Sequence, residues 1–412
     1  MVTITSKHAP LRTTLLVLGL FNAGASTAAP AWTSAGHQPP RYKITQLERL
    51  GGTSAIGVSI NDLGVVAGRS NLPGGIRHAA LWRNGALIPR DLGTLGGPDK
   101  TSTVPWPVKN LRGIVSGISY TDEPDPNLED WSCSAFIASS GTRCLGFRWE
   151  NGLMTALLPF PGGTHSFATG TNNLKQTVGW AENGVVDPTC AGTQKLQFRA
   201  AIWGANGKIS RELPPLEGAD ANGIRDTSSA ATAINDSGMV VGISGLCDVA
   251  VGRLSARHAV LWEKARPVDI GNLGVLAWNT PNMINQRGDI VGFAPIPDAD
   301  PSDDLDSPTL RAFLKLRGRP MQNLGTLTAD GLSSNAASIN EWRQVVGDSC
   351  DPDGCRAFLW QNGTMYDLNA LSVGSDDVLT LAKDIDNFGR ITGQGFDDET
   401  GTFFAFVATP IW

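Results

Sequence analysis

Apolar positions along the chain fall in short runs rich in Val, Ile, Phe and Trp, broken by Gly, Pro and Asn. No long window keeps the 3.6-residue period of an amphipathic helix, so the pattern predicts short strands joined by turns. Three elements recur in a fixed order. The first is Ile-Asn-x-x-Gly-x-Val-Val-Gly, found at Asn61, Asn110, Asn172, Asn235, Asn285 and Asn340, with Asp386 in the seventh copy. The step from Asn (or Asp386) to the strand glycine is seven residues in every copy, and the copies start 46 to 63 residues apart. The second is an aromatic strand: Ala80-Leu81-Trp82, Phe147-Arg148-Trp149, Ala201-Ile202-Trp203, Val260-Leu261-Trp262, Phe313-Leu314-Lys315, Phe358-Leu359-Trp360 and Ala405-Phe406-Val407. Asn-Gly follows several copies, as at Asn84-Gly85 and Asn151-Gly152, and supplies the positive φ angles of a tight hairpin. The third is Leu-x-x-Leu, often closed by two glycines, as in Leu92 to Gly97, and is expected to be the fourth strand.

Four strands per repeat, hairpin-joined, describe a propeller blade. The expected fold is all-β: a seven-bladed β-propeller with four antiparallel strands, A to D, in each blade. The seventh unit ends without strand D, while residues 42–52 at the other end carry the missing pattern. The N-terminal strand is therefore expected to complete blade 7, which leaves no open sheet edge. The division is 1–28 leader, 29–41 linker and 42–412 propeller. Blades 1 to 6 are 53–97, 98–163, 164–218, 219–274, 275–327 and 328–371; blade 7 is 372–412 plus 42–52. Small residues four places before the Asn, such as Gly57, Ala168 and Ala382, are expected to line the channel, with Trp106 as the exception.

The first residues read as an export signal. Lys7 and Arg12 precede an apolar run, 13–23, and small residues suit cleavage after Ala25 or Ala28. That run is about half the roughly 20 residues needed to span a bilayer. A secreted or periplasmic monomer without a membrane span is expected. The formal charge of −6 becomes about −8 once Lys7 and Arg12 leave, which disfavours nucleic acid as a partner. Cys133, Cys144, Cys190, Cys247, Cys350 and Cys355 are an even set, so an exported chain would bridge them. Pairing Cys133 with Cys144 and Cys350 with Cys355 would close local loops, and Cys190 and Cys247, from adjacent blades, could pair across them; the sequence leaves the connectivity open. All six are assigned to the B–C loops.

The combination of Ile-Asn-x-x-Gly-x-Val-Val-Gly with Asp-Leu-Gly-Thr-Leu-Gly-Gly resembles the HAF-type extracellular repeat of bacteria, named for its His-Ala-Phe-like strand. The equivalents here are His78-Ala79-Ala80, His258-Ala259-Val260, Arg311-Ala312-Phe313 and Arg356-Ala357-Phe358. The resemblance covers roughly 42–412, with blades 2, 3 and 7 departing most. It implies export and a propeller-like fold and transfers no catalytic residue.

No catalytic motif stands out. The repeated Asn is explained by turn chemistry, the strand C Trp by packing between blades, and His78 and His258 by their equivalent repeat positions. The B–C loops vary most in length, reaching about 26 residues in blade 2 (118–143). They are acidic: Asp122, Glu123, Asp125, Glu129 and Asp130 in blade 2, and Asp298, Asp300, Asp303, Asp304 and Asp306 in blade 5. Solvated loops are the simplest reading. Calcium is the alternative, with Asp298, Asp300, Asp304 and Asp306 as ligands; no other cofactor is indicated. The leading function is a binding module that presents the B–C face to a glycan or a protein. A glycoside hydrolase or lyase with channel carboxylates, drawn from Asp376, Asp377 and Asp384, is the enzyme alternative. A structural envelope or matrix protein is the third.

Overall fold

The computed structural model describes residues 39–83, 85–129, 132–220, 222–297, 309–374 and 377–411. The leader (1–28) and the blade 5 aspartates 298, 300, 303, 304 and 306 lie outside them, as do Asn84, Asp130 and Asp376. Seven antiparallel sheets follow one another around a ring, each in the order A-B-C-D. Blade 1 comprises Ala55–Ile60, Val66–Asn71, Arg77–Trp82 and Arg90–Asp91. Blade 7 comprises Val378–Ile385, Ile391–Asp397, Thr402–Ile411 and the N-terminal strand Arg41–Leu47. That strand pairs with strand C from Arg41 opposite Ile411 to Leu47 opposite Ala405, so the ring closes as expected. Its outer edge takes a further short strand, Ser372–Val373, in parallel.

The repeat motifs have local physical causes. Each Asn side chain accepts from the backbone N–H groups two and four residues on, as Asn61 does from Leu63 (3.0 Å) and Val65 (3.1 Å). It therefore nucleates the A–B turn. Strand A bulges before this turn, at Val58 in blade 1 and Lys383 in blade 7. Opposite the bulge stands the strand B glycine. A Cβ there would lie 2.0 Å from the Ile56 carbonyl oxygen in blade 1 and 1.8 Å from that of Leu381 in blade 7, so only glycine fits.

In four blades the basic residue of the His-Ala-Phe-like strand pairs with an acid on strand D: His78 with Asp91 (2.9 Å), Arg199 with Glu212 (3.2 Å), His258 with Asp269 (2.9 Å) and Arg356 with Asp367 (3.1 Å); in blade 5, where strand D has no acid, Arg311 donates to Leu332 O and Gly331 O. In blades 1 and 4 the same aspartate accepts from the glycine two residues later, which explains the Asp-Leu/Ile-Gly sequence. The Trp residues of strand C are buried. Three reach back to the end of the preceding blade's strand D: Trp82 donates to Glu48 O, Trp203 to Leu158 O and Trp262 to Pro214 O.

Two expectations are corrected. Leu-x-x-Leu is the D–A connection rather than strand D, which is shorter and lies just before it. Gly93 at φ +74° turns the chain out of the strand, and in blade 6 Leu368–Leu371 forms one helical turn capped by Asp367. The small residues before the Asn also serve a different purpose. Gly57 abuts Thr392 of blade 7 and Ala168 abuts Gly146 of blade 2, so they allow close approach of neighbouring blades.

Candidate functional site

The ring has two unlike sides, and the cavity at its axis opens among the A–B turns. Two circuits of hydrogen bonds surround that opening. In the first, each Asn amide crosses to the next blade: Asn61 to Asn110 O, Asn110 to Thr171 O, Asn172 to Asn235 O, Asn235 to Asn285 O, Asn285 to Asn340 O and Asn340 to Asp386 O, all at 3.0–3.2 Å. At the seam Asp386 has no amide to offer. Arg390, paired with Asp386 at 2.6 Å, instead donates to Asp62 O at 2.9 Å. The repeated Asn is thus both turn cap and inter-blade tie.

The second circuit uses the residue after the Asn. Its N–H donates to the side chain at the same position in the next blade: Leu111 to Asn173, Asn173 to Asp236, Asp236 to Gln286, Gln286 to Glu341, Glu341 to Asn387 and Asn387 to Asp62. It is open between blades 1 and 2, where Leu111 has no acceptor. These side chains line a cavity of about 190 Å³. Just outside them stand Leu63, Leu174, Trp342 and Phe388, with Trp342 and Phe388 each 67% exposed. The Trp342 indole N–H donates to Asn387 O at 2.9 Å, which ties the exposed ring to the blade 7 turn.

The floor is a charge pair. Lys109 of blade 2 reaches past blade 1 to Asp384 of blade 7 at 2.6 Å. Asp384 is fully buried and also accepts from Ile60 N (2.8 Å), Ser338 Oγ (2.6 Å) and Ile385 N (2.8 Å). Of the three aspartates considered for channel acid catalysis, Asp384 is saturated, Asp377 accepts from Gln46 on an exposed surface, and Asp376 lies outside the described residues.

The opposite, B–C side is dominated by the blade 2 loop, which is built into the body. Ser132 Oγ accepts from Trp180 Nε1 of blade 3 and from Ala250 N of blade 4, both at 3.2 Å, and Phe136 O accepts from Arg77 of blade 1 at 2.7 Å. Beneath lie Trp106, Phe136, Phe167 and Trp180, the last two stacked with centroids 4.0 Å apart. The loop cysteines form three disulfides: Cys133–Cys144, Cys190–Cys247 and Cys350–Cys355. Their placement is corrected in part, since Cys144, Cys350 and Cys355 sit in strands that extend beyond the sheet body.

The blade 2 acids are also not simply solvated. Asp122 and Glu123 are exposed, but Asp125 and Glu129 are buried. They meet His165 and Glu182 beside a second cavity of about 330 Å³. Burial, reinforced by the neighbouring Glu129, pushes the Glu182 carboxyl up to about 9. Burial outweighs Asp125 and lowers His165, whose Nδ1 accepts from Cys144 N. No group of three or more His, Cys, Asp or Glu among the described residues is arranged to hold a metal. Glu182 and the Trp342–Phe388 rim were missed from sequence. Glu182 follows the apolar stretch Val178–Ala181 of its strand with nothing local to mark it, and Trp342 and Phe388 occupy a turn position that varies from blade to blade.

Neither a family model nor a curated protein matches the sequence. Among solved structures, the chain is similar to a puromycin-hydrolyzing peptidase of Mycobacterium tuberculosis (10% identity, TM-score 0.43, 89% of this chain and 56% of that one). It is also similar to an acylaminoacyl peptidase of Pyrococcus horikoshii (7%, 0.43, 86% and 51%) and to a polysaccharide lyase, a PL25 ulvan lyase (9%, 0.40, 89% and 94%). The chain spans about half the length of the two peptidases. Nothing about activity follows from likeness at this level.

Proposed function

We propose that this is an exported binding module of the HAF-repeat type that engages a glycan at the channel mouth on the A–B side. The observation that carries the reading is the mouth itself: a cavity bordered by side chains from every blade, with Trp342 next in sequence to the lining residue Glu341, 67% exposed and bonded to the lining residue Asn387. A flat aromatic face takes the C–H face of a sugar ring, and the amides and carboxylates around it accept and donate to hydroxyls. The reading moves the site from the B–C face, because the long loop there is spent on contacts with three other blades. Three disulfides fit an oxidising compartment, and no helix among the described residues is long and apolar enough to cross a membrane.

A glycan array on the mature protein, followed by titration of any hit, tests this. Trp342→Ala is expected to weaken binding at least tenfold with unchanged thermal stability. Binding that survives both Trp342→Ala and Phe388→Ala, or hits confined to proteins, would overturn it.

A further inference from the structure

We infer that the join between blades 1 and 2 forms an acetamido subsite of the channel mouth: the Asp62 backbone N–H takes the carbonyl oxygen of an N-acetylhexosamine, and Leu111 takes its methyl group. This rests on the glycan reading of the mouth and names the class of sugar. At six of the seven joins, the N–H of the residue after the Asn (or Asp386) reaches the side chain at the same position in the next blade, at 2.7–3.0 Å. Blade 1 is the exception, because the residue it meets is Leu111, which has nothing to accept with. The Asp62 N–H therefore has no acceptor among the described residues, and Asp62 and Leu111 both line the mouth cavity.

Beneath this gap the join is intact. Asn61 donates to Asn110 O at 3.0 Å, and Ser59 Oγ accepts from Val108 N at 2.9 Å and donates to Val108 O at 3.1 Å. Only the outermost layer is open, and there the mouth adjoins a groove of about 480 Å³ between the two blades. Asn61 and Leu111 line both spaces. The groove is apolar along Leu63, Val65, Leu81, Leu111 and Trp149, with Leu63 55% and Leu111 49% exposed.

A group that fits here brings a bare acceptor and an apolar surface side by side. A hydroxyl can accept from the Asp62 N–H, but it then sets its own O–H against leucine, away from water. An acetamide carries its carbonyl oxygen and its methyl on one carbon, so a single group serves both neighbours. Its N–H, on the other side of the amide, is served by the carboxylates and amides that border the mouth. Asn387 donates to the Asp62 carboxylate at 2.9 Å and accepts from the Trp342 indole at 2.9 Å, so one turn of blade 7 ties the aromatic rim to this subsite.

The test is a glycan array on the mature protein, with titration of a tetramer of N-acetylglucosamine, the same tetramer without its acetyl groups, and cellotetraose. Hits are expected to carry N-acetylhexosamine, and the acetylated tetramer to bind about tenfold tighter than the other two, as one hydrogen bond and one methyl contact allow. Leu111→Asn places at the join the residue that blades 3 and 7 carry, which closes the circuit. It should abolish the preference for the acetylated sugar and leave Tm unchanged or higher. Leu111→Ala keeps the N–H free and removes only the apolar wall, so it should keep part of the preference. Glycan binding that ignores the acetyl group, or a preference that survives Leu111→Asn, would overturn the acetamido subsite and leave the glycan reading standing. An array without any glycan hit, or with hits only on acetylated peptides, would overturn both.

Discussion

Replacing Lys109 by Met tests how the channel floor is held. Asp384 is 0% exposed and Lys109 22%, so the pair is largely out of water. Removing the ammonium leaves a buried carboxylate with hydrogen bonds but no counter-charge, which costs about 3–5 kcal/mol in comparable pairs. For a ring of this size, with an unfolding entropy of roughly 2 cal/mol/K per residue, the loss lowers Tm by about 4–6 °C. Urea unfolding of the oxidised mature protein, followed by Trp fluorescence, gives the stability change directly. Adding Asp384→Asn to the Lys109→Met variant removes the stranded charge, and the double-mutant cycle should return a coupling of about 1–3 kcal/mol. A Lys109→Met cost below about 1 kcal/mol, or a cycle without coupling, would refute the reasoning. Either result would mean that water reaches Asp384 through the mouth.

Further outcomes follow from the same contacts. Asn235→Ala removes acceptors for Ser237 N and Met239 N and the tie to Asn285 O, at an expected cost of about 2–3 kcal/mol; Asn235→Asp, which loses only the tie, should cost about 1 in the same denaturation assay. Cys190–Cys247 spans 57 residues and Cys350–Cys355 only 5, so chain entropy predicts losses of about 4 and 2 kcal/mol when each pair is replaced by Ala. Two contributions make stability decline as pH rises, while His165, lowered by burial, works against them below about 6.5. Glu182 is neutral in the fold while its unfolded counterpart ionises near 4.5, so its penalty grows between about 4.5 and about 9. For His78 and His258, the bond and charge of Asp91 and Asp269 overcome burial and raise the imidazoles, so that contribution is present at low pH and is lost above their ordinary 6.5. Denaturation at pH 5.5, 7 and 9 checks both, and Glu182→Gln should remove only the first.

The sequence by itself determined the blade count, the four-strand unit and the closing strand. These depend on local rules that recur along the chain: Asn, or Asp386 in blade 7, caps a turn, glycine faces a strand A carbonyl, and in four blades an acid on strand D answers the base on strand C. The even cysteine set was legible as disulfide-forming, but which cysteines pair was settled by the fold, which joins two pairs near in sequence and a third across adjacent blades. Leu-x-x-Leu misled, since its spacing fits a strand while Gly93 bends the chain away from one.

Tertiary structure alone decided which side of the ring is available. The blade 2 loop looked like a free acidic arm, but its Ser132 hydroxyl and Phe136 carbonyl are bound by blades 1, 3 and 4 and Asp125 meets His165 of blade 3, which no local pattern encodes. Lys109 and Asp384 are 275 positions apart and meet only because the ring closes. The channel mouth is likewise assembled from one to three residues per blade. Each of them looks like an ordinary turn residue until the ring brings them together around one axis.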